Sequence, residues 1–258
     1  MDTLSSPGKR LNLRTLLNIY LRSFFFQGSF SIKDRQNTGF AFCMEPVGRI
    51  LWNDPADLKA FRLRHLEYYN GNPFMVPLVL GAVARMEERL LSGDGMKIDD
   101  ISQFKKAVSQ ASGAVGDRFF WRTLRPFGLV LGLLAAIFYG LWGVFVFLAL
   151  FNIPTMLLKW YWLTQGYKLG PKVVIELQNQ YIARAAHTME NTGGIILSFL
   201  AVAFLSRQEY EISWISAGTI GIFILTITLL KRKISHSIVF PIAVCVAIIF
   251  GIIIDMFP

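Results

Sequence analysis

A chain of 258 residues is long enough for one large domain or two small ones. Hydrophobic residues make up 53% and charged residues 17%, against roughly 25% charged in ordinary soluble domains, so composition excludes a plain soluble globule and points to a membrane protein. The formal net charge of +9 suits basic cytoplasmic loops; because Lys and Arg flank apolar segments instead of forming one stripe, no nucleic-acid partner is expected.

Residues 11–30, "LNLRTLLNIYLRSFFFQGSF", are amphipathic. Leu13, Leu16, Leu17, Tyr20 and Phe24 fall at helical spacing, with Arg14 and Arg22 elsewhere. This predicts a helix in the headgroup plane, basic side to the lipid phosphates, or else a helix docked on a core. No cleavable secretory signal is expected from "MDTLSSPGKRLNLR". Residues 36–52 read as a helix with Pro46 near its middle. Asn53 or Asp54 can cap the next helix, with Pro55 in its first turn. "NGNP" (70–73) breaks that helix. The apolar stretch 74–84 is too short to span, since a crossing helix needs about 20 residues. Residues 58–91 therefore read as a broken helical hairpin dipping into the bilayer. Residues 99–115 form a mostly polar helix that ends in small residues able to admit another backbone.

"GDRFFWRTLRP" (116–126) then sets Asp117, Arg118, Arg122 and Arg125 against an uncharged run from Pro126 to Leu158. That run would make ~50 Å of helix against a ~30 Å hydrocarbon core, so it must tilt, kink or split. Gly140, Gly143 and Pro154 are the expected break points. A polar helix at 172–190 follows, then apolar segments at 193–206, 212–230 and 234–254. Placing the basic clusters around Lys159–Arg184 and at Lys231–Lys233 in the cytoplasm puts the C-terminus outside. The expected fold is an all-α membrane protein: several transmembrane helices, re-entrant or broken hairpins and an N-terminal amphipathic helix. Residues 1–125 would hold the amphipathic arm and the polar, re-entrant part, and 126–258 the transmembrane part.

No nucleophile–base pair, phosphate-binding loop or metal-ligand spacing appears, so no cofactor is expected and no catalytic nucleophile is assigned. Cys43 and Cys245 read as buried small hydrophobes. His187 and His236 read as surface or packed residues, whereas His65 stays open as a site residue because polar groups crowd it. Polar side chains within apolar sequence persist by pairing or by lining a wet cavity. Three clusters qualify: Gln27 with Arg35, Gln36, Asn37 and Glu45; His65 with Glu67, Asn70 and Asn72; and Asp117 with Trp121, Thr123 and Arg125. On a helix, Asp117, Trp121 and Arg125 share one face. An acid, an aromatic plate and a base there suit a sugar, whose hydroxyls need carboxylates and amides and whose C–H face needs a ring. Asp117 and Arg125 are expected to form a buried pair or site, with Arg118 and Arg122 anchoring at the interface. The candidate substrate-binding set is Gln27, Asn37, Glu45, His65, Asn70, Asp117, Trp121 and Arg125.

Four stretches in order, "RSFFFQGSFSIKDRQNTGFAFCMEP" (22–46), "RHLEYYNGNPFMVPLVLGAVARMEE" (64–88), "GDRFFWRTLRP" and "WYWLTQGYKLG" (160–170), resemble the IID component of the mannose/fructose/sorbose class of bacterial phosphotransferase systems. The resemblance implies a multi-pass protein of the bacterial cytoplasmic (inner) membrane that is not itself phosphorylated. It would pair with a IIC subunit to translocate a hexose, which a IIB partner, supplied by IIA, phosphorylates; oligomers of IIC–IID pairs are implied. The chain departs from the family at Arg118, where a small residue or proline is usual, in "SQASGAV" (109–115), which lacks a Gly-Pro step, and in a short loop near 207–212. A divergent, non-transporting scaffold or regulatory subunit is the alternative reading.

Overall fold

A computed structural model describes residues 10–174 and 180–207, with isolated positions 221 and 228. The chain divides into two compact units, Met1–Leu200 and Ala201–Pro258, and the elements below belong almost wholly to the first. The apolar segments expected at 212–230 and 234–254, and the side on which the C-terminus lies, fall outside the described residues.

Helix α1, Leu13–Arg22, starts at Asn12, whose side chain accepts from the Thr15 N–H at 2.9 Å. It turns Thr15, Leu16 and Ile19 to the core and leaves Leu13, Leu17 and Leu21 exposed. The helix is thus both docked and apolar on its outer side. Helix α2, Asn37–Leu51, runs through Pro46. Asp54, not Asn53, caps α3, Pro55–His65, accepting from the N–H groups of Ala56 and Asp57, and Pro55 occupies the first turn. Helix α4, Val76–Leu91, is buried on every side from Val76 to Ala84, as expected of a helix apolar all round. Helix α5, Ile98–Gly116, passes into a π-helix, Asp117–Leu124, and then into α6, Arg125–Tyr139.

The long apolar run splits at Gly140, whose φ of 57° and ψ of −128° suit glycine and few other residues. Helix α7, Trp142–Leu169, then returns beside α6. Gly143 lets the two approach: a methyl group there would strike Ala136 on α6 and the Gly132 carbonyl. Pro154, an expected break point, does not end α7. Membrane helices tolerate proline in their interior; Asn152 and Thr155, on either side of it, donate to the carbonyls of Leu148 and Phe151. Helix α8, Gln180–Arg207, joins the expected polar helix and the first apolar segment into one element.

Among the described residues, two helical stretches, Ile98–Tyr139 and Trp142–Lys172, are long and apolar enough to cross a membrane. Only 28% and 17% of their apolar windows are buried within the chain, unlike the core helix of a soluble domain, so these side chains need lipid or a partner around them. Helix α4 packs against α7 at reciprocal glycines. A methyl group at Gly81 would meet the backbone of Leu163 and Tyr167, and one at Gly166 the Leu78 carbonyl.

Candidate functional site: a polar cavity between a clamped loop and a π-helix

The chain between α3 and α4 is tied down residue by residue. Asn37 Nδ2 donates to the Leu66 carbonyl at 2.7 Å, the Gln36 N–H to the Tyr69 carbonyl at 2.9 Å, and the Gly71 N–H to Gln36 Oε1 at 2.9 Å. Gln36 reaches these partners because the preceding loop reverses at Arg35, which sits at φ 58°, with Ser31 and Arg35 exchanging backbone hydrogen bonds. Asn72 is buried; it accepts from the Phe74 N–H at 2.9 Å and donates to Asp117 Oδ1 at 2.7 Å. This contact needs Gly116, because a Cβ there would lie 2.5 Å from Asn72 Cγ and 2.7 Å from Met75 Cγ. The small residues that end α5 therefore admit the Asn72 loop.

Between the loop and the helix lies a cavity of about 430 Å³, within the ~300–1,000 Å³ usual for small-ligand sites. Gln27 and Gln36 face it from one side, Asn70 and Asn72 from the loop, Ser109 and Gln110 from α5, and Asp117 and Trp121 from the π-helix. Gly113 also lines it, with nothing within 4 Å of where its Cβ would stand. Phe74 holds Trp121 from behind, with ring centroids 5.3 Å apart. The wide π turn is fastened by Thr123 Oγ1, whose single hydrogen is shared between the Arg118 carbonyl at 3.0 Å and Glu190 Oε1 on α8 at 2.7 Å. π-Helical turns are rare and recur at functional sites.

Of the eight residues named from sequence, Gln27, Asn70, Asp117 and Trp121 meet in this cavity. The other four lie elsewhere. Asn37 clamps the loop through the Leu66 carbonyl. Glu45 is paired with Arg49 and Arg62, and the Arg62 hydrogen bond, with help from Arg49, outweighs partial burial to hold its carboxyl at about 2. Arg125 does not form the expected buried pair with Asp117. Both are exposed; the Arg125 guanidinium lies 5.4 Å from the centre of the Trp121 ring, and Asp117 is bonded to Asn72 instead.

His65 is fully buried and belongs to a separate ionic cluster. Arg64 Nε donates to Glu87 Oε1 at 2.7 Å and Arg64 Nη2 to Glu87 Oε2, and His65 Nε2 lies 3.1 Å from Oε1. Burial raises the Glu87 pKa, but hydrogen bonds from Arg64 and His65 outweigh it and hold the group at about 2. Burial drives His65 down to about 4, against the pull of Glu87. At neutral pH the cluster is therefore Arg⁺, carboxylate and neutral imidazole. Lys105 Nζ completes it by donating to the Arg64 carbonyl at 2.6 Å. The cluster thus pins the end of α3, where the clamped loop begins. Cys43 is buried, as expected.

Sequence reasoning left Gln36 and Asn72 out of the set although both stood beside chosen residues. It also missed Ser109, Gln110 and Gly113, whose signal was their common face on α5. Among the described residues, no group of three or more His, Cys, Asp or Glu could hold a metal ion.

Fold and site together define an all-helical membrane protein in which polar interruptions from separate apolar stretches converge on one water-accessible cavity. Residues 10–256 match the model of the PTS system mannose/fructose/sorbose family IID component, and the chain belongs to that family. The mannose-specific EIID component of Escherichia coli (strain K12) is 31% identical over 202 residues, covering 77% of this chain and 70% of that protein. The fructose permease IID component of Bacillus subtilis (strain 168) is 29% identical over 192 residues, covering 74% and 70%. The sorbose-specific EIID component of Klebsiella pneumoniae is 28% identical over the same shares. Among solved structures, a cryo-EM complex of the mannose transporter ManYZ with microcin E492 contains a chain that aligns at a TM-score of 0.60 and 30% identity, covering 74% of this chain and 70% of that one. Another membrane protein aligns at 0.73 over 93% of this chain and 96% of its own, at 22% identity, and so shares the fold.

Proposed function

We propose that this IID chain combines with a IIC subunit in the bacterial cytoplasmic membrane, crossing it several times with the C-terminus outside, to bind and translocate a hexose of the mannose/fructose/sorbose class. A IIB partner, charged by IIA, phosphorylates the sugar, and the chain carries no phosphate itself. The permease is an oligomer of IIC–IID pairs. The observation that carries the sugar-binding reading is the cavity lined by Gln27, Gln36, Asn70, Asn72, Asp117 and Trp121. Its amides and carboxylate can exchange hydrogen bonds with hydroxyls in both directions, and Trp121 supplies an apolar plate for the C–H face of a pyranose. Asp117 Oδ1 is occupied by Asn72, which aims the carboxylate. In this reading the four remaining candidates act at one remove: Asn37 and His65 through the loop, Glu45 through α2 and Arg125 through Trp121.

The test is sugar uptake by the reconstituted IIC–IID pair carrying Asp117→Asn. Uptake should fall to background while the variant still inserts and co-purifies with its partner. Wild-type uptake by the variant would remove Asp117 from the sugar route; no uptake by the parental pair with any hexose of the class would favour the non-transporting scaffold.

A further inference from the structure

A second cavity, of about 180 Å³, opens where α8 meets the end of the π-helix and the start of α6. It lies below the ~300 Å³ at which small-ligand pockets usually begin, and its lining is divided by chemistry. Arg122, Thr123 and Glu190 stand at one end, and Phe127, Val130 and Leu197 run away from them. The two walls cross from polar to apolar at the same level. Thr123 bonds Glu190, and one turn further along both helices a Cβ on Gly193 would sit 3.3 Å from Phe127. Pro126, where the uncharged run begins, lies between these contacts in sequence. The cavity therefore straddles the boundary between headgroups and hydrocarbon.

The charges at its mouth are of opposite sign, and no ion pair within 4.0 Å joins Arg122 to Glu190 or to any other acid among the described residues. Both are exposed. A cation and an anion held apart beside an apolar slot complement a headgroup that carries a phosphate and a primary amine, followed by an acyl chain. The geometry points to a binding site for a zwitterionic aminophospholipid. The phosphate sits on Arg122, the ammonium donates to the free oxygen of Glu190, and an acyl chain lies along Phe127, Val130 and Leu197. Glu190 distinguishes this from a plain anionic-lipid contact, because a carboxylate at the mouth repels an uncompensated phosphodiester. The lipid would brace the π-helix near the end away from the Asn72–Asp117 bond, since Asp117 opens the eight-residue element and Thr123 is its last residue but one.

The full chain, delipidated in detergent, is incubated separately with phosphatidylethanolamine, phosphatidylcholine and phosphatidylglycerol, and retained lipid is counted by native mass spectrometry. Phosphatidylethanolamine should be held roughly tenfold more tightly than either competitor, as expected for one charge-assisted hydrogen bond gained. Glu190→Gln keeps an acceptor for Thr123 but loses the charge, so it should erase the preference over phosphatidylcholine. Arg122→Gln, an exposed change that leaves the fold alone, should weaken all three lipids. Val130→Trp should fill the slot and do the same, provided its thermal midpoint matches the parent. Equal retention of the three lipids, a preference for phosphatidylglycerol, or a phosphatidylethanolamine preference that survives Glu190→Gln would each overturn the assignment.

Discussion

Asn72 Nδ2 donates to Asp117 Oδ1 at 2.7 Å across a sequence separation of 45 residues. This one bond joins the clamped loop before α4 to the first residue of the π-helix, and it closes one corner of the polar cavity. Asn72 is buried whereas Asp117 is exposed. The amide is therefore the fixed partner, and the carboxylate is the one positioned by it.

A double-mutant cycle isolates that relationship. Asn72→Ala and Asp117→Ala should couple by about 1 kcal/mol, below the ~1.5–3 kcal/mol typical of a hydrogen bond to a charged group, because Asp117 remains in contact with water. Denaturant midpoints of the parent, both single variants and the double variant measure it. Additive losses would mean that the bond contributes nothing to stability.

The buried Arg64–Glu87 pair should be costly to break on one side only. Glu87→Gln or Arg64→Ala strands a charge or its donors in the interior and should cost ~3–5 kcal/mol, whereas replacing both with apolar residues of similar volume should cost much less. Thermal unfolding in detergent distinguishes these cases. Because the pair anchors the start of the cavity loop, the single variants should also weaken sugar binding.

Acid should destabilise the chain in a defined window. His65 has a folded pKa of about 4 against 6.5 for the free side chain, so the unfolded state binds the extra proton. The stability this confers is complete above pH 6.5 and is lost as pH falls through 4, a change on the order of 3 kcal/mol. Glu87, also depressed, removes more as pH falls from 4.5 through about 2. Unfolding midpoints should therefore decline between pH 6.5 and 4 in the parent and decline less in His65→Gln. A parent midpoint that is flat across that interval contradicts the assignment.

Three glycines should separate by what surrounds them. Gly81→Ala and Gly166→Ala push a methyl group into the facing backbone of α7 or α4 and should each cost about 1–3 kcal/mol. Gly113→Ala meets nothing within 4 Å and should be neutral or stabilising by up to ~1 kcal/mol, through helix propensity. Equal thermal midpoints for all three variants would argue against the tight α4–α7 crossing.

The cavity was half legible before the fold was known. Gln27, Asn70, Asp117 and Trp121 stand out because each is a polar or amphipathic residue beside apolar sequence, and such residues need a reason to be there. Pairing and cavity-lining are the two available reasons, and chain order does not distinguish them. Glu45 and His65 looked much like Asp117 in sequence, yet Glu45 is occupied by Arg62 and His65 by Glu87. The π-helix was also hidden, since its residues read as a continuous α-helical face. Its widening is fastened in part by the contact between Thr123 and Glu190, across 67 residues.

By itself the sequence determined that this is an all-helical membrane chain of the IID family, that α4 is too short to span, and that the long apolar run must tilt, kink or split, with Gly140, Gly143 and Pro154 as the candidate points; the structure chose Gly140. The family is carried by four motif stretches in order; the rest follows from hydropathy and backbone sterics, which act between neighbours along the chain. Only the tertiary structure decided which polar side chains are quenched by a partner and which are left facing water. That choice is made by groups tens of residues apart, whose approach depends on glycines such as Gly81, Gly116 and Gly166 letting backbones and loops come together.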